Sequence, residues 1–163
     1  MVIWILGLSG SGKTSLAIKI IKKSKKNKFL HIDGDSIRNI YEKKLGHTMR
    51  DRQINASRIS KLVKYISDQK VNVIVSVLSN FPKWLKWNRK NIKNYFEVYL
   101  KTDLDILKSR RSKLYSKKTK NVIGVDLKFN EPIRPNIIIK NSNNKNDIET
   151  NAIKILKKIK KII

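Results

Sequence analysis

The chain has 163 residues, which suits one domain with a sizeable core and leaves no room for a second. It holds no cysteine, so disulfides and thiolate metal sites are excluded, and any metal must sit on oxygen or histidine. The formal net charge of +26, from 38 Lys and Arg against 12 Asp and Glu, attracts anions without saying which: small polyanionic substrates, a membrane surface or nucleic acid.

Val2–Leu6 is a short apolar run ending at Gly7. It has no basic leader and no long apolar stretch, so neither a secretion signal nor a membrane span is expected, and a cytoplasmic location is. Gly7-Leu8-Ser9-Gly10-Ser11-Gly12-Lys13-Thr14 fits G-x-x-x-x-G-K-[ST] between that strand and a helix over 13–23, the context the motif demands. Its glycines let backbone N–H groups turn inward around phosphate oxygens, and the helix N-terminus adds its dipole. Lys13 reaches the β- and γ-phosphates, and the Thr14 hydroxyl can ligate Mg²⁺. The candidates for holding ATP are therefore Gly7, Ser9, Gly10, Ser11, Gly12, Lys13, Thr14 and Ser15, with Mg²⁺ as the accompanying ion.

Phe29–Ile32 reads as a second strand, followed by Asp33-Gly34-Asp35-Ser36-Ile37-Arg38. In an open parallel sheet ligands bind beyond the carboxyl ends of the strands, so Asp33 and Asp35 should emerge beside the phosphate loop. There a carboxylate could orient an acceptor hydroxyl and take its proton. The competing reading makes Asp35 a helix N-cap and nothing more. Helices are expected over 36–45 and 51–69. On the second, Arg52 and Asn55 share a face, suited to clamping an anion or simply solvated; the residues alone do not choose.

Val71–Leu78 is a β-branched run of the kind a strand buried on both faces shows. A helix over 83–94, a strand over 95–100 and a helix over 103–112 follow. Residues 113–135 are basic, broken by Gly124, Pro132 and Pro135 and without clear periodicity, which marks a loop or lid. A strand over 137–139 and a helix over 147–161 close the chain. Strands alternating with helices specify an α/β fold with a parallel five-stranded sheet covered on both faces, here as one domain over 1–163.

Gly-Leu-Ser-Gly-x-Gly-Lys-Thr, Asp-Gly-Asp-x-x-Arg, Arg-x-x-Asn-x-x-Arg-Ile, Leu78-Ser79, Phe96-Glu97-Val98-Tyr99, Lys113-Leu114-Tyr115, Gly124-Val125-Asp126 and Glu131-Pro132 occur in this order. Together they resemble the adenylyl sulfate kinase family over nearly the whole chain. The resemblance implies a three-layer P-loop NTPase fold and Mg·ATP-dependent phosphorylation of the 3′-hydroxyl of a ribose carrying a 5′-phosphosulfate. It implies that Lys13, Asp33 and Asp35 serve the transferring group, the metal, the acceptor hydroxyl and its proton, with Thr14 and Asp33 toward the metal. It also implies that Arg38, Arg52 and Asn55 hold the acceptor's anionic end. A lid at about 110–131 would close over both nucleotides, Arg110 toward ATP, and Lys113, Leu114, Val122 and Gly124, with Ser79, toward the acceptor.

Two departures bear on the acceptor. His47 and Val122 stand where the family has the two phenylalanines that sandwich adenine, and base–aromatic stacking is worth about 1–3 kcal/mol per base. The Ser-Pro after the third strand is replaced by Ser79-Asn80-Phe81-Pro82, and the lid motif has lost its glycine. The expected acceptor is therefore cytidine diphosphoramidate, which a kinase of this family takes in making the phosphoramidate decoration of bacterial capsules, with His47 and Asn80 as candidates for a smaller base site. Adenylyl sulfate ranks second and another nucleotide third. A nucleic-acid-binding protein or polynucleotide kinase is the alternative of another class. Against it, the lysines are scattered or run together as at Lys22, Lys23, Lys25, Lys26 and Lys28, without interleaved aromatics. An A+T-rich coding bias accounts for such composition. The expected partner is a small nucleotide, not nucleic acid, and a homodimer stays open.

Overall fold

The computed structural model describes residues 1–24, 28–40, 45–79, 81–116, 119–142, 144 and 146–160. Five parallel strands, β1 (Val2–Leu6), β2 (Phe29–Asp33), β3 (Asn72–Val77), β4 (Tyr95–Lys101) and β5 (Ile137–Lys140), lie in the order β2-β3-β1-β4-β5. The helices are α1 (Lys13–Lys23), α2 (Gly34–Asn39), α3 (Met49–Asp68), α4 (Pro82–Asn91), α5 (Leu104–Arg110) and α6 (Asp147–Lys160).

All of β1 is buried because it lies in the middle of the sheet with helices over both faces, hence its unbroken apolar run. The twofold period of a strand divides it. Ile3 and Ile5 join Ile74, Phe96, Val98 and Leu100 in a core with Leu16, Ala17 and Ile20 of α1 and Ala152, Ile155 and Ile159 of α6. Val2, Trp4 and Leu6 join Val73, Val75 and Val77 against Ile59 and Val63 of α3 and Leu85 of α4. The three-layer α/β expectation holds, and no described helix is long and apolar enough to cross a membrane.

The element ends differ where caps decide them. α2 starts at Gly34 rather than 36 because Asp33 caps it, its side chain accepting from Asp35 N–H. The rest of the helix expected over 36–45 runs into residues 41–44, which lie outside the described residues, as does Lys161 at the end of the last helix. α3 starts at Met49 because Thr48 caps it, its Oγ1 accepting from Asp51 N–H and donating to the Asp51 carboxylate. α4 ends at Asn91, three residues early, since Ile92 turns into the core and Asn94 adopts φ 51° to enter β4. Residues 113–135 hold no helix or extended strand among those described, only an isolated bridge between Ile123 and Leu127.

A charged group sits inside this largely apolar sheet. Glu97 on β4 is fully buried, and Arg89 of α4 meets it with Nε to Oε2 at 3.0 Å and Nη2 to Oε1 at 2.7 Å. Burial pushes the Glu97 carboxyl above its usual range, and the guanidinium opposes that rise. Removing one partner of a buried pair leaves the other charge uncompensated. Arg89→Leu should therefore cost about 3–5 kcal/mol of unfolding free energy in urea titrations, and adding Glu97→Leu should return much of it.

Candidate active site

The phosphate loop leaves β1 at Gly7, where a Cβ would lie 2.5 Å from the Leu100 carbonyl oxygen; only glycine passes so close to β4. Gly12, at φ 92°, takes the left-handed conformation that turns the chain into α1. Between them the carbonyls are drawn outward by side chains. Tyr115 Oη donates to Ser9 O at 2.6 Å, Arg110 Nη1 to Gly10 O at 3.4 Å, and Asn141 Nδ2 to Ser11 O at 2.7 Å. A peptide's N–H points opposite its carbonyl, so the N–H groups of Gly10 and Gly12 turn toward the loop's interior, while Ser11 N–H donates to Leu8 O at 3.3 Å. Lys13 Nζ folds back onto Leu8 O at 2.7 Å. Burial lowers the Lys13 ammonium to about 8, Asp35 and Asp33 pulling the other way and Arg111 adding to the fall.

The Asp33 carboxylate joins four segments. Oδ2 accepts from Thr14 Oγ1 on α1 and from Ser76 Oγ on β3, both at 2.9 Å, and Oδ1 accepts from Asp35 N–H at 3.0 Å. His31 Nε2 lies 2.8 Å from Ser76 Oγ; the Ser76 proton is committed to Asp33, so Nε2–H donates to the hydroxyl. Burial pushes Asp33 upward, but bonds from Ser76, Thr14 and the N–H groups of Asp35 and Ser36 outweigh it and hold its carboxyl below the usual range. The helix cap is thus Asp33, not Asp35. The Asp35 side chain, 89% exposed, stands free in the cleft with Oδ1 4.0 Å from Arg38 Nη1.

A cleft of about 520 Å³ runs from Lys13, Thr14, Asp33 and Asp35 to Arg38, His47, Arg52, Asn55, Ser79, Phe81, Leu114 and Val122. The structure thus gathers into one space most of the residues the sequence singled out. Arg52 and Asn55 do not form a free two-residue clamp. Arg52 donates from Nε to His47 O and from Nη2 to Asn121 O, each at 2.9 Å, tying the segment before α3 to the loop after α5. Asn55 is buried and donates to Gly34 O at 3.0 Å, leaving its Oδ1 without a partner among the described residues. Arg38 Nη1 lies 2.6 Å from His47 Nδ1.

Other candidates stand off the cleft wall. Lys113 is exposed, and its carbonyl accepts from Ser116 and Thr119. Gly124 packs on the Leu8 side chain. Ser15 lies exposed on the first turn of α1, Ser11 is fully buried, and Arg110 braces the loop from behind with Nη2 on Ser142 O at 2.7 Å. Val122 touches the cleft yet is only 4% exposed, clustered with Leu107, Tyr115, Leu8 and Leu114. Asn80 lies outside the described residues.

Residue reasoning missed Ser76, His31, Asn141 and Arg111. Ser76 had a legible signal, the one hydroxyl in an otherwise apolar strand; the others meet the site only through topology. Because Ser76 donates to the charged form of Asp33, Ser76→Ala should raise the Asp33 pKa, with Thr14→Ala acting the same way. Carboxyl-carbon NMR titration of the variants reads that direction.

A model of the family described as adenylylsulphate kinase matches residues 1–140. A protein of Campylobacter jejuni subsp. jejuni serotype O:2 named cytidine diphosphoramidate kinase is 38% identical over 97% of this chain and 95% of its own. A probable adenylyl-sulfate kinase of Archaeoglobus fulgidus is 33% identical over 88% of this chain and 97% of its own. Among solved structures, the Mycobacterium tuberculosis APS kinase in complex with AMPPNP and APS superposes with a TM-score of 0.84 at 27% identity, covering 98% of this chain and 96% of that one.

Proposed function

The chain belongs to the adenylylsulphate kinase family, and on that premise we propose that it transfers the γ-phosphoryl group of ATP to the 3′-hydroxyl of cytidine diphosphoramidate, as one cytoplasmic kinase domain over 1–163. The observation that carries the acceptor is the cleft wall at positions 47 and 122. An exposed histidine stands at one, and at the other a valine packed into its own small core, so no pair of aromatic faces encloses a purine there.

The inward N–H groups and Lys13 receive the ATP phosphates and neutralise charge on the transferring group. Thr14 and Asp33 fit Mg²⁺: a hydroxyl and a depressed carboxylate 2.9 Å apart form a hard oxygen donor set. Among the described residues no three His, Asp or Glu gather around one point, which suits an ion whose remaining ligands are phosphates and water. Thr14 and Asp33 would hold the ion, which would offset negative charge on the transferring group. Asp35, exposed in the cleft and not committed to capping, takes the proton from the acceptor hydroxyl. Arg38 places positive charge over the acceptor's 5′ group. Residues 110–131 act as the lid that keeps water from the phosphoryl group, Leu114, Asn121 and Val122 already bordering the cleft.

Adenylyl sulfate is the second reading, favoured by Phe81, an aromatic on the cleft wall that can stack one face of a purine. Steady-state kinetics on both acceptors decide. The wild-type kcat/KM should be well above that for adenylyl sulfate with the cytidine compound, and His47→Phe should move the ratio toward adenylyl sulfate by up to about 1–3 kcal/mol. Val122→Phe is the poorer probe, since overpacking that cluster costs about 1–3 kcal/mol of its own. Wild-type protein that used adenylyl sulfate efficiently and ignored the cytidine compound would make it a conventional adenylyl sulfate kinase.

The Lys13 ammonium supplies a second test. Its pKa of about 8 must rise when phosphate anions face it, so nucleotide binding takes up protons above pH 8. Affinity for an ATP analogue should fall by up to about tenfold per pH unit above 8, and Lys13→Ala should abolish that slope along with turnover. Asp35→Asn should keep the slope and lower kcat by about 10²-fold or more. Calorimetry in buffers of different ionisation enthalpy reads the proton uptake directly.

A further inference from the structure

Arginine has only donors, so the 2.6 Å contact from Arg38 Nη1 to His47 Nδ1 runs one way: Nδ1 accepts and holds no proton. A neutral imidazole with a bare Nδ1 keeps its proton on Nε2. The ring stays neutral because partial burial, then the Arg38 and Arg52 guanidiniums, hold its pKa below the usual value against the weaker pull of Asp35 and Asp51. The backbone under the ring is fixed as well. Arg52 Nε holds the His47 carbonyl at 2.9 Å, and the next residue, Thr48, caps α3. His47 is exposed and lines the cleft, so the nitrogen left over, Nε2–H, is a donor open to whatever enters.

We propose that His47 is a specificity-determining residue that reads the acceptor's base: Arg38 locks it as the Nε2–H tautomer, and that N–H donates to the O2/N3 acceptor edge of a cytosine. The assignment rests on the cytidine reading above and deepens it. An aromatic ring at this place would grip any base by its face; a single oriented donor selects a base that presents a lone pair at that spot. Arg38 acts as a positioning residue through the ring, because without it the proton could occupy either nitrogen.

The chain has two histidines, so ¹⁵N imidazole spectra of the labelled protein are simple, and His47→Gln assigns the His47 ring by its absence. At neutral pH the spectra should show Nδ1 unprotonated and Nε2 protonated, with the Nε2 signal moving when cytidine 5′-diphosphate is added as a probe. In kinetics with the cytidine acceptor, His47→Gln, which keeps a donor, should hold kcat/KM within a few-fold. His47→Phe should lose about tenfold, the size of one hydrogen bond, with the KM for ATP unmoved. A proton on Nδ1, an Nε2 signal indifferent to the probe, or equal kinetics for the Gln and Phe variants overturns the assignment. These results stand apart from the acceptor question: a wild-type preference for adenylyl sulfate sinks the cytidine reading, whereas a cytidine-preferring enzyme with equal Gln and Phe variants sinks only the role of His47. Thermal melts of both variants confirm folding, as position 47 is exposed.

Discussion

The Asp33 carboxylate is the junction on which the rest of the site depends. Thr14 brings the phosphate loop to it, Ser76 brings β3, and the Asp35 N–H brings the start of α2. Each donor is an ordinary neutral group, but a carboxylate makes every bond charge-assisted and about twice as strong as its neutral counterpart. The depressed pKa of Asp33 is the same fact seen from the proton's side. Because the carboxyl stays ionised, it keeps all of these bonds charge-assisted. Because it caps α2, it orients Asp35 outward into the cleft. One side chain thus joins the phosphate loop to β3 and sets where Asp35 stands.

A second junction ties the segment after α5 to the phosphate loop. Leu107, Tyr115 and Val122 pack with Leu8 and Leu114 in a cluster separate from the two main cores, and Tyr115 Oη reaches the Ser9 carbonyl. From the far side Arg52 holds Asn121 O. Asp126 accepts from the N–H groups of Asn121 and Val122, which fixes the turn bearing these contacts. These contacts hold the segment beside the phosphate loop through a small apolar cluster and a few hydrogen bonds.

Much of this architecture could be read from residues because its causes are local. Val2–Leu6 had to be a buried strand, the glycines of the loop had to bend, and the alternation of element types left few topologies. What escaped was set by partners distant in sequence. Nothing near Asn141 announces that its amide will hold the Ser11 carbonyl, 130 positions away. Asp33 and Asp35 were both recognisable as site residues, but which of them caps α2 depends on the turn geometry. The helix ends were misjudged at 36 and 51 for a related reason, since capping side chains extend a helix beyond its apolar pattern.

The net charge of +26 bears most directly on the cleft. Lys13, Arg38, Arg52, Arg111 and Lys120 line it against Asp33 and Asp35, so the space is net cationic and suited to polyanionic nucleotides. Charge alone would favour any polyanion. Arg38 and Arg52 are instead partly committed, one to an imidazole nitrogen and the other to two carbonyls, so their guanidiniums are held in place before a ligand arrives. Fixed charges need little reorganisation when negative charge develops near them, and that preorganisation separates a catalytic pocket from a merely basic surface. Most of the 38 cationic side chains lie outside the cleft and strengthen long-range attraction, whereas the few tied to the backbone decide where an anion comes to rest.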